Sequence, residues 1–513
     1  MNDPPLTDGL LLDLDRVEVV RGPQGSLFGQ NTDAGAISLI TRAPGEQPSA
    51  QGLMQIDDRG ERHTAYALDV PLVDDRLLMR VSANFAQSRG LTTNLFDGDK
   101  PDAFDEDGGR LRLLWRIAPG LRADFAADTS YFSDGFPTGQ ALTNTIGNAP
   151  NGLPPFTVDI NTPQVDQRRS SGVSSTLNWD NSLGTLTSIS AWREARRHWL
   201  ADLDYSPLDA DTLDYVDRYQ RLSQELRLSS RASDSPWTWI TGLYAFRQIS
   251  ESDRPTIAGP QIGVFIPSLK QGDVLNALPD VDTRSVAAFG SLGYALRPDL
   301  RLDAGLRLVT VYRRLNYTQQ ASPDYQKLGY LSIDGIEEKS SENALLPDLA
   351  LSWDLSPSVT SYARYARGSK SGGFNADVLG SRLTQPETFS DETANTYELG
   401  VKSHWLQRRL TANLALFLSD YRDYQVSQFQ PVGNVVVPTI SNAGKVRTYG
   451  PELELVARPL RGLTLSSSAA WLHAEYDEFL NGGGAGINYS GNRTEYSPRW
   501  SVDSTVEYHQ PLQ

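Results

Sequence analysis

The stretch "LTANLALFL" (Leu410–Leu418) places Leu410, Ala412, Leu414, Leu416 and Leu418 on one side of an extended backbone and Thr411, Asn413 and Ala415 on the other. That two-residue period is the signature of a β-strand. The alternation recurs along the chain. Leu77, Met79, Val81, Ala83 and Phe85 oppose Arg80, Ser82 and Asn84; Leu111, Leu113, Trp115 and Ile117 oppose Arg112 and Arg116. Leu121, Ala123, Phe125 and Ala127 oppose Arg122, Asp124 and Asp128; Leu302, Ala304, Leu306 and Leu308 oppose Arg301, Asp303 and Arg307; Trp500, Val502 and Val506 oppose Ser501, Asp503 and Glu507. β-Sandwiches and propellers also alternate. Many of these runs, however, reach about ten residues, roughly twice the usual soluble strand and the length that crosses a bilayer at a tilt.

The connections point the same way. Short turns fall at Pro71–Asp75, Ala118–Gly120, Asp180–Gly184, Arg297–Asp299, Ser356–Ser358, Leu406–Arg409 and Pro459–Gly462. Between them stand long polar segments, Ser133–Arg168, Glu251–Asp282, Gln319–Ser340, Ser371–Phe389 and Asn481–Ser497. Short turns on one rim and long loops on the other describe an all-β, antiparallel outer-membrane barrel with the short turns periplasmic. Counting runs from Ser49 onward predicts about 18 strands, an even number, as single-chain bacterial barrels have. Trp115, Tyr131, Trp192, Trp239, Trp353, Trp405, Tyr421, Tyr424 and Trp471 lie near predicted strand ends, where interfacial aromatic girdles form.

Composition narrows the functional classes. The 513 residues carry a formal charge of -16 and no cysteine. Without a basic stripe to neutralise phosphates, nucleic acid is not an expected partner. The lack of thiols excludes a disulfide scaffold and thiolate metal sites. His63, His198, His404, His473 and His509 lie far apart with no metal-ligand spacing, so no metal site and no resident cofactor are expected. No Ser/His/Asp arrangement, G-x-S-x-G elbow or paired-carboxylate context stands out, and an enzyme is not expected. The acidic tracts Phe96–Asp107 and Ala201–Asp217 are read as solvated outer loops. No apolar run of about 18 residues forms a transmembrane helix.

Near the start, "DRVEVVRGPQGSLFGQNTDAGAISLITRAP" (Asp15–Pro44) reads as strand, glycine-rich turn, strand. Gly22, Gly25 and Gly29 fit neither the P-loop nor the G-x-G-x-x-G spacing, and no lysine follows. The stretch closely resembles the second half of the plug domain of TonB-dependent outer-membrane receptors. Three barrel segments resemble the same family in the same order: "YARGSKSGGFN" (Tyr365–Asn375), "PETFSDETANTYELGVKSHW" (Pro386–Trp405) and "NAGKVRTYGPELELVARPLRGLTLSSSAAWLHAEY" (Asn442–Tyr476).

The resemblance implies a 22-stranded barrel closed by a plug, in the bacterial outer membrane, importing a scarce nutrient, most often a ferric siderophore, with energy from TonB. Residues 1–44 then form the C-terminal half of the plug and 45–513 the barrel. The family's plug arginine falls on Arg21, its barrel glutamates on Glu398 and Glu452, and Gly22, Gly25 and Gly29 serve plug turns. Iron would arrive as a chelate, not as a protein-bound cofactor. Expected partners are membrane lipid, the TonB complex in a complete receptor and the small-molecule ligand, with the barrel a monomer. The alternative cargo is cobalamin, an oligosaccharide or an aromatic compound. Neither a signal peptide, a TonB box, the first plug half nor a terminal aromatic strand is recognisable. The chain is therefore expected to be a receptor fragment, about four strands short of the family barrel, whose unpaired edges disfavour insertion into lipid.

Overall fold

The computed structural model describes residues 13–135, 153–231, 235–377, 386–432, 435–480, 482 and 486–510. One meandering antiparallel sheet begins at the strand Ser49–Ile56 and ends at Trp500–Tyr508, each strand hydrogen-bonded to its sequence neighbour. Among the described residues the sheet has nineteen segments. Two of them, Leu463–Trp471 and His473–Glu478, continue one another along the strand Val435–Ala457, which leaves eighteen strands. The sheet curls into a barrel whose order brings the last strand beside the first. The residue register of these two is nevertheless defined on one side only: Ser49–Ile56 against Arg62–Val73, and Trp500–Tyr508 against Leu463–Trp471. Both are exposed along their whole length.

The outer face follows the alternation read from the sequence. On the strand Leu410–Val432, Leu414, Leu416 and Leu418 are exposed while Ser419 is buried toward the interior. Outward residues are apolar from Leu410 to Leu418 and turn charged at Asp420, which pairs with Arg447. Nine residues at about 3.4 Å each, tilted by about 40°, cover roughly 23 Å of membrane normal, close to the apolar band of such barrels. Trp115, Trp353 and Trp405 are exposed beside short turns, as a periplasmic girdle requires. Tyr421 and Tyr424 do not join a girdle. They pack inward against Val426, Ala443, Val446, Tyr476 and Phe479: Tyr421 shares the inward parity of Ser419, and Tyr424 joins it because the ladder skips Asp423, which has positive φ, between Arg422 and Tyr424.

Strands are longer than the sequence suggested and loops correspondingly shorter. Trp237–Ala258, Val274–Arg297, Leu300–Ala321 and Ile333–Ser356 run for 22, 24, 22 and 24 residues. The segment Glu251–Asp282 is therefore mostly strand, and Gln319–Ser340 holds only a short helix, Pro323–Lys327, between strand ends. The physical reason is that the apolar alternation marks only the part of a strand that touches lipid. Beyond the bilayer the ladder continues with mixed outward side chains, while inward residues such as Leu275, Ala277, Val281, Leu315 and Tyr317 pack in apolar clusters inside the barrel. Of Ser133–Arg168, Ser371–Phe389 and Asn481–Ser497, the parts at 136–152, 378–385, 481 and 483–485 lie outside the described residues.

Inside the barrel lies a separate two-stranded sheet, Leu14–Arg21 against Gly35–Thr41, joined through the short helix Gly25–Phe28. That helix packs against the strands Val274–Arg297, Leu300–Ala321, Ile333–Ser356 and Val359–Lys370. On the barrel side a buried patch of Ala287, Val309, Val311 and Leu346 forms its apolar seat.

Candidate functional site

The turn between the two inner strands is where the chain crosses the lumen, and its glycines have distinct jobs. Gly22 and Gly29 adopt φ of +69° and +93°, conformations that cost a non-glycine residue about 1–2 kcal/mol. Gly25 serves close approach: a Cβ there would lie 2.9 Å from both the Arg367 carbonyl oxygen and Leu346 Cδ1. Opposite it the barrel also uses glycine, since a Cβ on Gly368 would come within 2.5 Å of Asp33 Cα.

Polar contacts hold the turn. Arg364 Nη2 donates to the Pro23 carbonyl at 2.8 Å and is itself fixed by Asp348 at 2.6 Å. The Asn31 backbone N–H donates to the Ser369 carbonyl at 2.8 Å, and the Ser371 N–H donates to Asn31 Oδ1 at 3.1 Å. Arg307, 4% exposed, lies 3.1 Å from where a Gly29 Cβ would be. Its guanidinium rests over the rings of Tyr244 and Phe289. At the other end of the inner sheet, Arg80 is bracketed by Asp13 and Asp69, each at 2.6 Å, and Arg112 Nη1 donates to the Thr41 carbonyl at 2.8 Å.

Arg21 closes the set. Its Nη1 lies 2.5 Å from Glu452 Oε2 and its Nη2 3.2 Å from Glu454 Oε1. Glu398, the third residue singled out in the sequence, is beside Gly22 but accepts a hydrogen bond from Tyr362 Oη at 2.5 Å. The structure thus brings Arg21 to Glu452 and leaves Glu398 with a tyrosine. Sequence reasoning missed Glu454. The signal was present, because residues two apart on a strand share a face, and both glutamates belong to "PELE". Arg364, Asp348, Arg307 and Arg80 carried no comparable local mark beyond inward parity.

On the extracellular side of the turn, Arg197 lies over Trp199 at 5.2 Å and Arg254 over Tyr215 at 5.7 Å, with Tyr219 buried beside them. Asp166 holds Arg197 and Asp217 holds Arg254. Guanidinium groups and aromatic faces together suit an anionic, planar ligand. Among the described residues, no three or more His, Asp or Glu side chains stand together as a metal-holding group.

Comparison with known proteins places this geometry. The family model described as TonB dependent receptor-like, beta-barrel matches residues 113–513. The pesticin receptor of Yersinia pestis is 24% identical over 511 residues, covering 97% of this chain and 68% of that protein. The crystal structure of the ferric yersiniabactin uptake receptor FyuA from Yersinia pestis superposes with a TM-score of 0.81 at 21% identity, covering 96% of this chain and 71% of that one. The siderophore receptor PiuA from Acinetobacter baumannii gives 0.74 at 16% identity, covering 97% and 74%.

Proposed function

Because this chain belongs to the TonB-dependent outer-membrane receptors, a family of receptors and transporters, we propose that it takes up a ferric siderophore. The carrying observation is a glycine turn seated across the lumen by polar contacts, with an arginine- and aromatic-lined wall on its extracellular side. The partly exposed contacts at the glycine turn, such as Arg21 with Glu452, are each worth only about 1 kcal/mol or less, so this part of the plug is released with a modest input of energy. In this reading residues 1–44 belong to the plug, Arg21 with Glu452 and Glu454 is a releasable latch, and TonB supplies the pull. A chelate stacks on Trp199 and Tyr215 and pairs its charge with Arg197 and Arg254. The resemblance of the chain to siderophore receptors supports iron chelates over other cargo.

The test is quenching of intrinsic tryptophan fluorescence in the protein extracted from outer membranes, titrated with ferric siderophores of aromatic and hydroxamate type, cobalamin and maltodextrin. The proposal expects saturable quenching by a ferric siderophore, weakened about tenfold or more by Arg254→Ala. Saturable binding of cobalamin or maltodextrin with none of any ferric chelate overturns it.

A further inference from the structure

Three arginines stand abreast on the outside of the barrel. The strands Val165–Asn181, Gly184–Asp202 and Asp211–Ser229 pair in a register that sets Arg169 opposite Arg196 and Arg196 opposite Arg218. All three are exposed, while the residues adjacent to them in sequence, Ser170, Ala195, Asp217 and Tyr219, are buried toward the lumen. Like charges placed directly opposite on neighbouring strands disfavour the sheet, so such a row in a chain of net charge -16 calls for a counter-charge.

The protein's own described carboxylates close no ion pair with the row. Among the described residues, no carboxylate lies within ion-pair distance of Arg169, Arg196 or Arg218; Arg169 instead lies 5.5 Å over the Tyr131 ring. Glu251 is the register partner of Arg218 and Glu194 is on the same outer face as Arg196, yet neither closes an ion pair with them. His198, the next outward residue beyond Arg196, is taken by Asp214 at 2.8 Å. The neighbouring cation pairs are treated differently. Arg247 and Arg284, also register partners, share Asp282, and Arg314 and Lys339 share Glu337.

Height in the membrane identifies what faces the row. Four residues toward the periplasmic side on each strand stand Val173, Trp192 and Leu222, again abreast and exposed at 51%, 37% and 60%. They form the upper edge of the apolar belt. Four residues of tilted strand rise about 10 Å, which puts the guanidinium groups in the headgroup layer of the outer leaflet. Strands about 4.8 Å apart spread the three forks over roughly 10 Å, a span that several phosphate oxygens of one headgroup can bridge.

We propose that Arg169, Arg196 and Arg218 form a binding site on the barrel exterior for the phosphorylated headgroup of an outer-leaflet lipid, whose acyl chains lie against Val173, Trp192 and Leu222. This surface is independent of the lumen and of the transported ligand. The test uses native mass spectrometry and thermal unfolding of the protein extracted from outer membranes, in neutral detergent doped with a bisphosphorylated glycolipid, with the same glycolipid lacking its phosphates, or with inorganic phosphate at equal phosphorus. The expected result is retention of the bisphosphorylated lipid, about a hundredfold weaker in Arg169→Gln/Arg196→Gln/Arg218→Gln, taking about fivefold per cation. It should be largely kept in the triple lysine variant and in Arg247→Gln/Arg284→Gln. Equal retention by wild type and the triple glutamine variant, equal retention of the dephosphorylated lipid, or competition by inorganic phosphate at equal phosphorus would each overturn the proposal.

Discussion

Removing the latch at Arg21 should loosen the inner sheet by a small, calculable and salt-dependent amount. Its guanidinium meets Glu452 at 2.5 Å and Glu454 at 3.2 Å, with side-chain exposures of 53%, 24% and 47%. Two unit charges at about 4 Å attract by about 1 kcal/mol in water and about 4 kcal/mol at an effective dielectric constant near 20. Half-exposure of the arginine puts this pair toward the watery limit, and exposed pairs measure about 0.2–1 kcal/mol. A double-mutant cycle of Arg21→Ala and Glu452→Ala should therefore give a coupling of about 1 kcal/mol, and the corresponding cycle with Glu454 less than half of that. The readout is amide hydrogen exchange along Leu14–Arg21 and Gly35–Thr41, where 1 kcal/mol appears as about fivefold faster opening. In about 1 M salt the Debye length falls to roughly 3 Å, and the Glu454 coupling should vanish before that of Glu452. A Glu452 coupling above about 3 kcal/mol, or one unmoved by salt, would refute the view of a solvent-screened, releasable contact. So would a larger coupling to Glu398, which the structure assigns to Tyr362.

Other outcomes follow from the same geometry. Gly25→Val drives side-chain atoms into Arg367 O and Leu346 and should cost the docked turn about 1–3 kcal/mol, seen as new proteolytic cleavage within residues 22–34 and greater sensitivity of cells to bulky antibiotics; unchanged cleavage would mean that the turn is not seated there. Leu414→Arg, outward in the apolar belt, should cost about 2–4 kcal/mol in urea unfolding from lipid vesicles. Asn413→Arg, facing inward as the register partner of Glu454, should cost under about 1 kcal/mol; equal costs would refute the assignment of faces. In the outer loop at 203–210, burial pushes the Asp204 carboxyl above the usual carboxylate range. An acid raised in the folded state contributes stability that is complete below its unfolded value, about 3.9, and is lost as pH rises through the elevated one. Hydrogen exchange in this loop, corrected for intrinsic rates, should accelerate as pH rises above about 4, and Asp204→Asn should reduce that acceleration.

The sequence by itself determined the barrel and its sidedness. The alternation at Leu410–Leu418 exists because one face of each strand dissolves in hydrocarbon and the other does not, and that contrast is written residue by residue. It also placed Glu452 and Glu454 on one face and marked Gly22, Gly25 and Gly29 as turn glycines. Strand length was legible only where lipid imposes the contrast, so the outer ends of Trp237–Ala258 and Val274–Arg297, whose outward side chains no longer meet lipid, read as loop although the backbone ladder continues. The turning inward of Tyr424 was hidden for a related reason, since a one-residue irregularity at Asp423 reverses parity without changing composition, whereas the inward parity of Tyr421 follows from the alternation at Leu410–Leu418. Only the tertiary structure decided partners: Arg21 and Glu452 are 431 residues apart, and whether an inward glutamate meets an arginine or a tyrosine depends on where the turn lies in the lumen. The row of Arg169, Arg196 and Arg218 is the same case on the outside. Each arginine is an ordinary outward residue in its own strand, and only the register of three strands sets their charges side by side.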